Sequence, residues 1–311
     1  MAELLSVEEI GRRDAAFDGA AASAYPESLL RAGVLSAGQV AVVGQDGYLF
    51  IADGANRWER QYRGELTVEP SWFDAWATVF ARRQAEAEAR GVLLVNLVAP
   101  EKQVLYPEAR WSGAAPAGDR RPLMQLLARI SPQARLAYPE EAMLAAKSRA
   151  PVYFRRNSHW TPSGCCAAVA ALLAELEMTT DMGSFRFAYA AIRGTHDLTP
   201  HFLDPAPQEE SGQLRPVGDV VFDNRHLELT GRHAGSRFAI RNPQVPDDRR
   251  VLVCGDSYAF DAGLTFALSA IFAEVAFVWS KGVVWELVET HGSQIVIWES
   301  AERFLATVPQ T

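Results

Sequence analysis

The chain has 311 residues, 49% of them hydrophobic and 22% charged, which is ample for a sizeable core in one large or two modest domains. A formal net charge of -8, with no long Lys/Arg run, argues against a surface built to neutralise phosphates, so no nucleic-acid partner is expected. The three cysteines, Cys165, Cys166 and Cys254, form neither a disulfide framework nor spaced metal-ligand pairs, and neither a metal nor a tightly bound cofactor is expected.

Residues 1–38 read as an alanine-rich helical lead-in with loops. Met1 to Asp14 is acidic and mixed, without the positive-then-apolar pattern of a signal peptide. No apolar run approaches the roughly 20 residues that span a bilayer. The expectation is a cytoplasmic protein with no membrane span, or a periplasmic one if the sequence is a trimmed piece. A single α/β domain is expected over 39–311. Gln39–Val43 and Tyr48–Ala52 flank a Gly/Asp turn and predict a hairpin. Pro70–Arg90 carries Trp72, Phe73, Trp76, Val79 and Phe80 at helical spacing, and Val92–Val98 is an apolar run of strand length.

The alternation continues with helix Arg121–Ile130, strand Ala134–Tyr138, helix Pro139–Lys147, strand Val152–Phe154 and helix Pro162–Glu177. Residues 180–248 break the rhythm, with short alternating runs at Val220–Phe222, His226–Thr230 and Arg237–Ile240, and predict an inserted β-rich cap. The end predicts strand Val251–Cys254, helix Phe260–Ile271, strand Val275–Trp279, helix Val283–Thr290, strand Gln294–Trp298 and helix Ala301–Leu305. Strands alternating with helices imply a mainly parallel sheet covered on both faces.

The chemistry centres on Gly255-Asp256-Ser257-Tyr258, at the end of one such strand and the start of a helix. A serine there has its hydroxyl held clear of the sheet and its N–H at a helix start, where developing negative charge is favoured. A serine hydroxyl also needs a base. Of the six histidines, His226 and His233 fall in the predicted cap, His291 follows a helix end, and His196 and His201 sit in a Pro-rich loop. His159 follows a strand end and precedes a Pro-started helix, at the sheet edge where Ser257 is expected. Asp256 is read as a helix cap.

These blocks, with Asn157-Ser158-His159-Trp160-Thr161 preceding Gly-Asp-Ser, resemble the SGNH-hydrolase-like O-acetyltransferases of the alginate type. In that family an Asp-x-His-Trp block precedes the serine block. The resemblance extends to Asp46-Gly47-Tyr48-Leu49-Phe50, to Val98-Ala99-Pro100-Glu101-Lys102 with Tyr106-Pro107-Glu108, and to Ala301-Glu302-Arg303-Phe304-Leu305, covering about residues 40–307. It implies a flavodoxin-like three-layer α/β/α fold and transfer of an acyl group to a carbohydrate or glycoside hydroxyl. Ser257 matches the nucleophile and His159 the base. Asn157 stands where the family has an aspartate.

An asparagine can orient the imidazole but carries no charge, and in the serine-protease case that exchange costs about 10⁴ in kcat. Three explanations stay open: a replacement carboxylate, for which Asp261 is placed four residues after Ser257; a slow or silent site that binds glycan; or an engineered exchange. For the oxyanion hole the Ser257 N–H is the first member, with Asn96 and Gly194 placeable near strand ends. Trp160, Lys102, Tyr106 and Arg155 are the substrate-binding candidates, Trp160 by packing or sugar stacking and Arg155, beside Arg156, by holding an anionic group. Esterase activity, with water as acceptor, uses the same site. An acyl donor is required, and in a cytoplasmic setting acetyl-CoA is the donor to test.

Overall fold

A computed structural model describes residues 2–23, 31–112, 118–130, 134–178, 181–227 and 233–309. The strands are β1 (Glu3–Leu5), β2 (Ala41–Val43), β3 (Leu49–Ile51), β4 (Leu93–Ala99), β5 (Leu136–Ala137), β6 (Phe187–Gly194), β7 (Glu209–Arg215), β8 (Asp219–Asp223), β9 (Arg237–Arg241), β10 (Asp247–Gly255), β11 (Phe272–Trp279) and β12 (Ile295–Ala301). The helices are α1 (Val7–Ser23), α2 (Trp58–Tyr62), α3 (Pro70–Ala89), α4 (Lys102–Leu105), α5 (Pro122–Leu127), α6 (Glu140–Lys147), α7 (Pro162–Glu175), α8 (Ser257–Phe260), α9 (Leu264–Leu268) and α10 (Trp285–His291).

The central sheet has seven strands in the order β5-β4-β12-β10-β11-β9-β8. The first five run parallel, and β9 and β8 close one edge as antiparallel strands. Side chains alternate across a strand, so one apolar run can feed two cores. Val251 and Val253 of β10, with Val275 and Phe277 of β11 and Ile295 and Ile297 of β12, pack beneath α7 and α9. Leu252 and Cys254, with Ala276, Val278, Val296 and Trp298, pack against α3, α5 and α10. This is the three-layer α/β/α arrangement. It explains why β10 through Cys254 and most of β11 and β12 read as unbroken apolar segments: both of their faces are covered. The cysteine thiols are free and buried, and burial pushes Cys254 up to about 12.

Several expectations about boundaries are corrected. The described strands within residues 181–248 divide between two sheets. Strands β8 and β9 extend the main sheet, while β6 and β7 join β1 in a separate three-stranded sheet. The run His226–Thr230 is only partly described, and its described part lies in a 3₁₀ turn over Arg225–Leu227. The first residues are no mere lead-in: β1 pairs with β6, and Asp14 of α1 is buried against α7 and β6. There its carboxylate accepts from the Ser163 N–H, the Ser163 hydroxyl and the Tyr189 hydroxyl, at 2.8, 2.7 and 2.9 Å. Desolvation raises its carboxyl to about 6 despite those bonds.

The predicted strand at Val152–Phe154 is a single antiparallel bridge, Tyr153 to Trp160, because the chain turns straight back through His159. The predicted helix from Phe260 to Ile271 is split into α8 and α9. Gly263 sits at φ +102° in the left-handed region, where a glycine ends one helix and opens the next without steric cost. Among the described residues no helix is long and apolar enough to cross a membrane.

Candidate active site

Strand β10 delivers Ser257 to the C-terminal edge of the parallel strands, and the turn before it is held by its neighbour β12. A Cβ on Gly255 would lie 2.6 Å from Glu299 Oε2, so only glycine lets the two strand ends approach this closely. The Asp256 N–H donates to Glu299 Oε2 at 3.0 Å. One Asp256 oxygen caps α8 by accepting from the Tyr258 N–H at 3.0 Å, and the other accepts from the Ala301 N–H at 2.9 Å. Asp256 is thus a cap and a tie to β12. Burial, and next the Asp256 carboxylate, push the Glu299 carboxyl well above the usual carboxylate range. Helix α8 is only four residues long, so its dipole adds little at Ser257; a directed N–H would have to serve there.

The second segment is a tight loop clamped at its base. Thr161 N donates back to Val152 O at 3.0 Å, and the Thr161 hydroxyl caps α7 by accepting from Gly164 N at 3.2 Å. This loop carries His159 to Ser257. His159 Nε2 lies 2.7 Å from Ser257 Oγ, and Nδ1 lies 2.7 Å from Asn157 Oδ1. The backbone N–H of His159 also donates to Asn157 Oδ1, at 3.0 Å. That oxygen can only accept, so Nδ1 carries the ring proton and Nε2 is free to accept from the serine. The two halves are locked by residues adjacent to the pair. The Tyr258 hydroxyl donates to Ser158 O at 2.8 Å, and Trp160 Nε1 donates to Ala262 O at 2.9 Å. The Tyr258 ring stands 4.8 Å from both the His159 and the Trp160 rings.

A cleft of about 190 Å³ opens on the His159 side, lined by Asn157, His159, Trp160, Gly194, His196 and Asp261 among others. Burial raises the Asp261 carboxyl, with His159 acting in the opposite sense. A larger cavity, about 400 Å³, opens beside Gly255 and Asp256 between Trp76, Trp279, Trp298 and Phe304. Among the described residues no group of three His, Cys, Asp or Glu side chains could hold a metal ion.

A family model described as the SGNH hydrolase-like domain of acetyltransferase AlgX matches residues 41–302. The chain belongs to this family. Two relatives carry the name probable alginate O-acetylase AlgJ. One, from Azotobacter vinelandii, is 27% identical over 69% of this chain, and the match spans 55% of that protein's own length. The other, from Pseudomonas aeruginosa, is 28% identical over 85% of this chain and 70% of that protein. The solved structure of Bacillus cereus PatB1 superposes with a TM-score of 0.60 at 12% identity, covering 86% of this chain and 99% of that one, a likeness of fold.

Within this AlgX-type domain the stretches that carried the resemblance converge. Glu101, from the exit of β4, pairs with Arg303, which follows β12, at 2.7 Å in the buried interior. Three of the expected substrate contacts instead hold the His159 loop. Lys102 Nζ donates to Leu49 O at 2.6 Å and to Arg155 O at 3.1 Å, and burial brings its amine down to about 7. The Tyr106 hydroxyl accepts from Val152 N at 2.9 Å. Arg155 grips both oxygens of Asp18, at 3.2 and 2.6 Å, and lies over the Tyr48 ring; its neighbour Arg156 is buried against Glu209 at 2.7 Å. The bonds shown for these side chains run to the protein's own backbone and acids, which is the work of scaffold.

Trp160 lines the cleft, though its indole N–H is spent on Ala262. Asn96 does not line the cleft: it is buried within β4, where its amide donates to Ala134 O at 2.7 Å and its oxygen faces Arg83. Sequence reasoning missed Tyr258 as the brace and left out Asp197, which binds Ser158 beside His159. The place of Tyr258 next to Ser257 was the available signal for the first. For the second there was none, because a loop brings Asp197 in from a distant part of the chain.

Proposed function

We propose that the chain is a serine-dependent O-acyltransferase that acetylates a carbohydrate or glycoside hydroxyl through an acyl-serine intermediate. The observation that carries this is the unbroken relay Ser257 Oγ, His159 Nε2, His159 Nδ1, Asn157 Oδ1, with 2.7 Å at each contact between side chains. Family membership and the names of the two relatives support carbohydrate acetylation as the chemistry.

His159 takes the Ser257 proton on Nε2 as Oγ attacks the carbonyl carbon of the acyl donor. The Ser257 N–H is the proposed donor to the oxyanion. The tetrahedral intermediate collapses, the leaving group takes the proton from His159, and the acyl group stays on Ser257. An acceptor hydroxyl then gives its proton to Nε2, attacks the acyl-serine and departs as the ester, and Ser257 Oγ recovers the proton from His159. Water in place of the sugar gives esterase turnover by the same steps.

The neutral Asn157 favours a second reading, a silent site that binds glycan without turnover. Incubation with an activated acetyl ester, followed by intact-mass measurement, decides between them. An added acetyl group in the wild type and none in Ser257→Ala supports the transferase; glycan binding with no acetylation and no turnover supports the silent reading. Acetyl-CoA as donor, and the cytoplasmic setting that suggested it, stands or falls on release of free CoA thiol in the presence of sugar acceptors.

A further inference from the structure

The relay through Asn157 orients His159 but leaves one electrostatic demand unmet. When His159 takes the serine proton it becomes an imidazolium, and Asn157 brings no charge to stabilise it. A carboxylate stands beside it nonetheless. Asp197 Oδ2 lies 3.7 Å from His159 Nδ1. It comes from the segment after β6 and is fixed by two bonds to the residue preceding the histidine: the Ser158 N–H donates to Asp197 Oδ1 at 2.7 Å, and the Ser158 hydroxyl donates to Asp197 Oδ2. That same hydroxyl oxygen is 3.4 Å from His159 Nδ1, so Ser158 joins carboxylate and imidazole as well as fixing the loop.

Asp261, the acid that lines the cleft, makes no hydrogen bond with His159, and burial pushes it toward its neutral form. Asp261 was the carboxylate expected to compensate for Asn157; Asp197 is better placed and better held.

We propose that Asp197 supplies the negative charge that Asn157 lacks, as a positioning residue that acts through His159 on the imidazolium formed when Ser257 loses its proton. The proton on Nδ1 stays on the ring, donated to Asn157, and Asp197 takes none. This division of labour, orientation from one residue and charge from another, rests on the reading of Ser257 and His159 as nucleophile and base.

The test is steady-state hydrolysis of p-nitrophenyl acetate by the full chain, with thermal melts of each variant. A single charge at this distance, on a side chain 41% exposed, is worth about 10- to 30-fold in rate after solvent screening. Asp197→Asn should therefore lower kcat about 10- to 30-fold with KM unchanged. Adding Asn157→Asp to that variant should restore at least the wild-type rate, because the new carboxylate sits against Nδ1. A merely structural Asp197 would leave the gain from Asn157→Asp the same with or without Asp197, whereas replacement of one charge by the other makes that gain larger in the Asp197→Asn background. An Asp197→Asn enzyme with wild-type kcat, or a folded double variant no faster than Asp197→Asn, overturns the proposal.

Asn157→Asp alone decides the matter should Asp197→Asn fail to fold. A gain below about 10-fold is expected where a charge is already present, and a gain approaching the 10⁴ of the protease case would mean that the wild type has none. Ser257→Ala separates the two levels of the argument: loss of turnover there with normal turnover in Asp197→Asn sinks this inference alone, while turnover that survives in Ser257→Ala sinks both.

Discussion

Removing one hydroxyl tests how the two catalytic segments are held together. In Tyr258→Phe the ring keeps its place between His159 and Trp160, while the donor to Ser158 O, at 2.8 Å, and the acceptor for the Tyr153 hydroxyl, at 3.2 Å, are lost. Tyr258 is fully buried and Ser158 nearly so, so no water readily replaces the bond. The cost is the bond itself plus an acceptor left without a partner, about 1–3 kcal/mol in stability. For a chain of this size that corresponds to a fall in Tm of about 2–5 °C. The kinetic consequence follows from position. The hydroxyl ties the residue after Ser257 to the residue before His159, so its loss loosens the 2.7 Å contact between them. A misplacement of about 1 Å costs about 10²-fold in rate, and a looser pair should lose about 10- to 100-fold in kcat with KM little changed. Differential scanning calorimetry and p-nitrophenyl acetate kinetics on one preparation read both effects. A variant that melts lower but keeps wild-type kcat would refute the brace as a catalytic device, and one unchanged in both would refute the bond.

Other outcomes follow from the same geometry. Ser257→Ala should abolish acyl-enzyme formation, seen as the missing acetyl mass, while leaving the Tm within a degree or two. Gly255→Ala forces a methyl against Glu299 and Ala259, and should cost about 1–3 kcal/mol in urea unfolding and most of the activity, because Ser257 moves with the turn. Asp14 gives a pH signature. Its folded carboxyl is raised from 3.8 to about 6, so the native state holds the proton more tightly, and stability from this group is present below about pH 4 and lost as pH rises through 6. The stability of the wild type relative to Asp14→Asn should therefore fall by about 2 kcal/mol between pH 4 and pH 7. Urea unfolding at the two pH values measures this, and a difference that rises instead would contradict the assignment.

The centre of the fold could be read from the chain because its residues do one thing at a time. Val251 to Cys254 are buried on both faces of a parallel sheet, so their apolar run needs no partner to be recognised. His159 could be found by elimination, since only six histidines exist and the local turn before α7 singles it out. The edge strands were another matter. Strand β8 is exposed along its whole length, and its place in the central sheet is set by pairing with β9, and of β9 with β11, which no local pattern reveals.

Polar residues near the motifs misled for a physical reason. Lys102 and Tyr106 look like ligand contacts in sequence because they fall in stretches that match the family, and Arg155 because it precedes the His159 block, yet a loop this tight needs donors and acceptors for its own backbone. Asn96 misled in the same way, as a polar residue in an apolar strand whose partners come from Arg83 and Ala134.

The docking of α1 has a practical consequence for where this domain begins. The family match starts at residue 41, and a truncation guided by it would discard β1 and α1 together. Tyr189 and Ser163 would then lose their common acceptor in the interior, and β6 would gain a bare edge. Ser163 lies in the first turn of α7, two residues past the threonine that caps the helix and four past His159. A shortened protein would thus come apart first at the end of the helix that steadies the base. Low turnover in such a piece would report on the cut rather than on Asn157.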